Sequence, residues 1–123
     1  MVVKMRDLIK AAKALSDETR LRILNLLLER ECCVCEVMQA LQISQTRASR
    51  NLSALHDAGF LKLRKDGLWS LYSIDETGMD EYLLGLVESV RKALVGNKIA
   101  AMDRERLKKS ERVGMKCASK LVK

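Results

Sequence analysis

Ser44–Ile74 reads SQTRASRNLSALHDAGFLKLRKDGLWSLYSI, and its punctuation decides the fold. Ser44 is a good N-cap, because its hydroxyl can accept a bond from a backbone N–H left orphaned at a helix start. Ala48, Leu52 and Leu55 follow at i, i+4 and i+7, the inward stripe of a helix that ends near Ala58–Gly59. Just upstream, Val34, Val37, Met38 and Leu41 predict a helix from Cys33 or Val34 to Leu41, joined to the next by the short Gln42–Ile43 turn. Two helices joined so closely, the second short and basic, are the signature of a helix-turn-helix. Leu61–Arg64 and Trp69–Ile74 then flank Asp66-Gly67, a dipeptide that favours a tight hairpin because it tolerates positive φ at both central residues. A helix-turn-helix followed by a charged hairpin is a winged helix.

Outward from this unit, Leu8, Ala11, Ala12 and Leu15 mark a first helix over roughly residues 3–15. Ser16 or Asp17 can cap a second, about 17–29, whose Leu21, Ile23, Leu24, Leu27 and Leu28 suit burial on most sides. Beyond the hairpin, Leu83, Leu86, Val87, Val90 and Leu94 predict a fifth helix from about Met79 to Val95. The expected class is mainly α (α+β): about five helices, a two-stranded wing and a basic C-terminal extension. Residues 1–96 would form one DNA-binding and dimerisation domain, and 97–123 a charged tail of weak helical periodicity, either a frayed extension or a mobile arm.

The 123 residues suffice for one domain with one core. Lys and Arg number 23 against 16 Asp and Glu, a net +7 that suits a polyanionic partner. That charge is unevenly placed. Residues 98–123 hold nine bases and three acids, Ser44–Lys65 has a local net of +4, and Asp75–Glu88 carries five acids and no base. Only four aromatics are present, too few and scattered to stack successive bases of a single strand. No apolar run approaches a membrane span and the N-terminus is charged, so no membrane association and a cytoplasmic location are expected. No phosphate-cradling loop or Cys-x-x-Cys in a βαβ frame is present, which argues against an enzyme.

Around the inward stripe of the fourth helix stand Ser44, Gln45, Thr46, Arg47, Ser49, Arg50 and Ser53. Gln suits adenine, Arg suits guanine, and Ser or Thr suits phosphate or either base, with the N-terminal residues of such a helix meeting base edges of double-stranded DNA. Lys62, Arg64 and Lys65 on the wing would reach phosphates, adding affinity without sequence information.

Three of the four cysteines, Cys32, Cys33 and Cys35, sit together in ECCVCEV; Cys117 stands alone. At 100° per residue Cys32 and Cys35 share a helix face while Cys33 and Cys35 subtend 200°, so all three reach one ion only if the first helical turn opens. A helix start favours the thiolate, the form that binds metal. Three soft sulfurs suit As(III) or Sb(III), or lead and cadmium, and structural zinc would want a fourth ligand that the neighbouring sequence does not offer. Oxidation is the redox alternative, with Cys33–Cys35 or an intermolecular bridge favoured over the strained vicinal Cys32–Cys33 ring.

Together ALSDETRLRIL (Ala14–Leu24), ECCVCEV (Glu31–Val37), SQTRASRNLSALHDAGFL (Ser44–Leu61) and KDGLWSLYSI (Lys65–Ile74) resemble the ArsR/SmtB family of bacterial metal-sensing repressors over about residues 5–95. Cys33-Val34-Cys35 is similar to the arsenic-site motif ELCVCDL of its arsenic-responsive branch. The resemblance implies a homodimer built on the first and fifth helices, operator binding in the ligand-free state, and release when As(III) or Sb(III) binds. In that branch a third cysteine often stands where this chain has Met38, so Cys32 is expected to replace it, with Cys117 as the second candidate. Family members that sense zinc, cobalt or nickel through the fifth helix use His and carboxylates there, and Met79–Val95 has no His. The family's frequent Ser-x-His-Leu reads Ser49-Arg50-Asn51-Leu52 here, which implies different operator contacts. A constitutive architectural DNA binder driven by the tail is the alternative of another class.

Overall fold

The computed structural model describes residues 2–113. Its helices are α1 (Met5–Leu15), α2 (Glu18–Glu29), α3 (Val34–Leu41), α4 (Gln45–Asp57), α5 (Glu81–Ala93) and α6 (Lys98–Lys109). The strands are β1 (Cys32–Cys33), β2 (Leu61–Asp66) and β3 (Trp69–Ile74), forming an antiparallel sheet in the order β1-β3-β2. This is a winged helix with one strand and one helix beyond the number expected.

Local chemistry sets the helix starts as expected. The Asp17 carboxylate accepts the Arg20 N–H at 3.0 Å and opens α2, and the Ser44 hydroxyl accepts the Arg47 N–H at 3.2 Å and opens α4. Gln42, at φ 57°, is the left-handed residue that ends α3 and turns the chain into α4. Ile23, Leu24 and Leu26 of α2 are wholly buried, as are Val37 of α3, Ala48, Leu52 and Leu55 of α4, and Phe60. The core therefore lies where α2, α3 and α4 meet beneath the wing. On α1 the buried positions are Ala11 and Ala14; Leu8 and Ala12, expected inside, face out.

The wing turn differs from its expected form. Asp66 pairs with Trp69 inside the ladder, so the two turn residues are Gly67 and Leu68. Only Gly67 has a positive φ, 61°, as in a type II′ turn with Gly at its first central position. Asp66 is a strand end rather than a turn residue.

The boundary expected at residue 96 also moves. Residues 98–109 form α6, which packs on α2 and α3 and buries Ala100, Asp103 and Leu107. Arg22 of α2 donates to both Asp103 oxygens at 2.8 Å, and Arg106 joins Asp103 at 2.7 Å while donating to the Ala40 carbonyl at 2.6 Å. Charge suggested an arm; pairing of that charge with other elements makes this stretch part of the fold. Among the described residues, no helix is long and apolar enough to cross a membrane.

Candidate nucleic-acid interface and thiol site

Packing the stripe Ala48, Leu52 and Leu55 inward leaves Ser44, Gln45, Thr46, Arg47, Arg50 and Ser53 exposed and Ser49 half-buried on the outer side of α4. Gln45, Thr46 and Arg50 make no bond to other side chains among the described residues and are free to meet a ligand. Arg47 is not equivalent to them: its guanidinium donates to the Thr19 hydroxyl at 3.0 Å, tying α4 to α2. Asn51, which sequence reasoning did not select, is buried and ties the same two helices, accepting from Arg20 at 3.3 Å and donating to the Arg47 carbonyl at 2.8 Å.

On the wing, Lys62, Arg64 and Lys65 are all exposed. Lys65 donates to the Ser70 hydroxyl at 2.8 Å, and Arg64 forms a two-point ion pair with Glu31 at 2.8 and 2.7 Å. Its hydrogen bonds to Arg64 hold the Glu31 carboxyl below the usual carboxylate range. Glu31 leads directly into the cysteine segment, so the wing and that segment are tethered.

Cys32 and Cys33 do not start the helix. They form β1 and pair with the wing, Cys32 opposite Tyr72 and Cys33 opposite Leu71. Successive strand residues point to opposite faces. Cys32 accordingly joins the main core, with its thiol on the Arg30 carbonyl at 3.4 Å, whereas Cys33 turns to the other side. There it meets Cys35, in the first turn of α3, in a small cluster with Leu71, Trp69 and Val113. The Cys33 and Cys35 side chains are neighbours in this cluster. The structure thus brings Cys33 and Cys35 together and separates Cys32, correcting the expectation that Cys32 and Cys35 share a helix face. Among the described residues no third Cys, His or carboxylate completes a metal-holding group. Cys117 lies outside the described residues.

Expected thiolate character at this helix start is also overturned. Burial, and then the Glu36 carboxylate, push the Cys32 thiol up to about 12, and burial, followed by the neighbouring Cys35, raises Cys33 as well. At these two buried thiols desolvation outweighs the helix dipole.

Glu36 is the hub that sequence reasoning missed. It is buried and accepts from the Cys33 N–H at 2.9 Å, Arg30 at 2.6 Å and Arg112 at 2.9 Å. Burial pushes its carboxyl up, but the bonds from Cys33, Arg112 and Arg30 prevail and hold it below the usual range. One signal was available: Cys33-x-x-Glu36 has the spacing of a capping box, in which the third helical residue reaches back to the N-cap N–H.

Residues 17–68, which carry α2 through the wing turn, match the family model for bacterial regulatory proteins of the arsR family. The chain belongs to the ArsR family. A homologue of the cadmium resistance transcriptional regulatory protein CadC from Staphylococcus aureus is 43% identical over 83 residues, 67% of this chain. The chain spans 65% of that regulator, just under two thirds of its length. An arsenical resistance operon repressor of the same organism is 33% identical over 81 residues, 66% of this chain and 78% of the relative. Among solved structures, the homodimeric winged helix-turn-helix DNA-binding domain of a possible ArsR-family transcriptional regulator from Mycobacterium bovis superposes with a TM-score of 0.63 at 27% identity. That match covers 80% of this ArsR-family chain and 94% of the domain. The family is one of regulatory proteins, not enzymes.

Proposed function

We propose that the protein is a homodimeric transcriptional repressor that leaves its operator when As(III) or Sb(III) binds the cysteines at the start of α3. The observation that carries this reading is the position of Cys33: it contacts Cys35 on one side and is paired to Leu71 of the wing on the other. A trivalent centre bridging the two thiols must repack the cluster that they form with Leu71, Trp69 and Val113. Strain there passes into β3, the central strand of the wing, and changes how Lys62, Arg64 and Lys65 meet phosphates. Double-stranded DNA is then read by Gln45, Thr46, Ser49, Arg50 and Ser53, with Ser44 holding the helix start and Arg47 bracing it. Dimerisation through α1 and α5 is supported by the exposed outer face of α1, where Met5, Leu8 and Ile9 are 76%, 45% and 47% accessible.

Linkage requires that a ligand lowering DNA affinity bind the DNA complex more weakly, with an ordinary coupling of about 1–3 kcal/mol. Gel shift of an ars-type promoter fragment with and without arsenite is the test. Arsenite should release the parent and fail to release Cys33→Ser or Cys35→Ser; release of these variants at the parent's arsenite concentration would refute the reading. Cadmium in the same assay checks the metal named by the CadC homologue. A second reading, reversible oxidation to a Cys33–Cys35 disulfide, is favoured by the packing of the two residues in one cluster and predicts release by peroxide in place of arsenite.

A further inference from the structure

The thiol pair lies under two covers of unequal strength. One is Trp69 and Leu71 of β3, a strand held by backbone ladders to both β1 and β2. The other is Val113, at the end of a strap that leaves α6 through the extended Ser110. Among the described residues, no backbone–backbone hydrogen bond holds residues 111–113. Side chains pin the strap instead. Gln39 pairs with the Glu111 backbone in both directions, donating at 2.7 Å and accepting at 3.0 Å, and Arg112 donates to Glu36 at 2.9 Å.

Both anchors keep other partners when the strap leaves. Gln39 also donates to the Cys35 carbonyl at 3.0 Å, and Glu36 retains Arg30 and the Cys33 N–H. Releasing residues 111–113 therefore breaks a few side-chain bonds and leaves β1, β3 and α3 in place, whereas opening from the wing would break the sheet. Cys33 and Cys35 are only 2% and 1% accessible, so a reagent that bonds to their sulfurs must first displace one of the two covers. The strap is the cheaper one to move.

We infer that residues 111–113 are a gate over the Cys33–Cys35 pair, latched by Arg112 on Glu36 and by Glu111 on Gln39, and that soft metalloids and thiol-directed electrophiles reach the pair when it swings out. The gate stands on the packing; that an arsenical is what passes it rests on the As(III) reading above.

Full-length parent, Arg112→Ala, Arg112→Lys and Gln39→Ala are labelled with iodoacetamide, and the modified cysteines are assigned by tandem mass spectrometry. Cys32 is the internal control. It lies in the main core on the opposite face of β1, so general loosening of the fold exposes it together with the pair, while gate opening does not. Labelling of Cys33 and Cys35 should quicken at least about tenfold in Arg112→Ala and Gln39→Ala and stay within about threefold of the parent in Arg112→Lys, with Cys32 within about twofold throughout. Losing a cation near the pair disfavours the reactive thiolate, so charge alone predicts slower labelling. Unchanged rates in both alanine variants, or Cys32 accelerating with the pair, overturns the gate.

Phenylarsine oxide, whose oxygen leaves with two thiol protons as water while two As–S bonds form, is then mixed with each protein and followed by the fluorescence of Trp69, the sole tryptophan. Association should quicken in the same variants. If none of the proteins binds it while labelling still follows the latch, the As(III) reading falls and the gate stands. If every variant binds it at the parent rate, the gate falls.

Discussion

Arg64 in the wing holds Glu31, the residue before β1, in a two-point ion pair with N···O distances of 2.8 and 2.7 Å. Both partners lie near solvent, where such a pair contributes about 0–1 kcal/mol, so a DNA phosphate can compete for the guanidinium. Glu31→Gln weakens that competition. Operator affinity should rise about threefold at low salt, and the slope of log K against log salt should steepen, whereas Arg64→Ala should flatten it, the two changes together amounting to the ~0.9 of the one phosphate contact that Arg64 can make. Fluorescence anisotropy across a salt series reads both, and an unchanged slope in each variant would remove the pair from the DNA pathway.

Arg47 and Arg50 look alike in the sequence and differ in the fold. Arg50 is exposed and unpaired among the described residues, whereas Arg47 donates to Thr19 and its carbonyl accepts from Asn51. Arg50→Ala should cost about 1–3 kcal/mol of operator binding and relax specificity at one base pair, without moving the melting temperature. Arg47→Ala should cost stability, about 1 kcal/mol for a lost side-chain bond. Thermal melts paired with binding to a library of single-base operator variants separate the two; equal loss of specificity in both variants would contradict the assignment.

Elements fixed by local signals were legible. The stripe Ala48, Leu52 and Leu55, the caps Asp17 and Ser44, and the Asp66-Gly67 dipeptide gave α2, α4 and the wing to within about two residues. Elements fixed by distant partners were not. Two residues cannot announce a strand, and Cys32–Cys33 become one only because β3 presents a free edge some forty residues later. Likewise α6 reads as a charged tail until Asp103 meets Arg22, 81 positions away. The exposure of the α4 positions was legible because it follows from the inward stripe by elimination. Grouping of the thiols failed because helix geometry was applied to residues that a sheet register controls.

The buried thiols make stability sensitive to alkali. The Cys32 thiol titrates near 12 in the fold against an ordinary 9.0, so the folded state holds its proton more tightly than the unfolded chain does. The corresponding stability is fully present below pH 9.0 and is lost as pH rises towards 12. Three pH units correspond to at most about 4 kcal/mol, on the scale of 1.36 kcal/mol per unit. Urea midpoints measured from about pH 8 to about pH 11 should fall more steeply for the parent than for Cys32→Ala, since other titrating groups are common to both. Parallel curves would show that Cys32 does not set this window.

Asp103 decides how much of the C-terminal charge belongs to the fold. It is wholly buried and answers two guanidiniums, Arg22 from α2 and Arg106 from its own helix. Removing one partner from such a group leaves uncompensated buried charge, at about 3–5 kcal/mol. Asp103→Ala should therefore lower the urea midpoint sharply. Truncation after Val95, which the charge distribution alone makes look harmless, should be at least as damaging, because it also uncovers the surface that Ala100 and Leu107 bury. By contrast Lys108→Ala and Lys109→Ala change exposed residues at the end of α6, and among the described residues Lys108 pairs only with the exposed Glu105. They should leave the midpoint within about 0.5 kcal/mol of the parent while reducing the salt dependence of DNA binding. If the truncated chain melted like the parent and lost only salt dependence, α6 would be the dispensable arm that its composition suggests, and the Arg22–Asp103–Arg106 triad would contribute nothing to the fold.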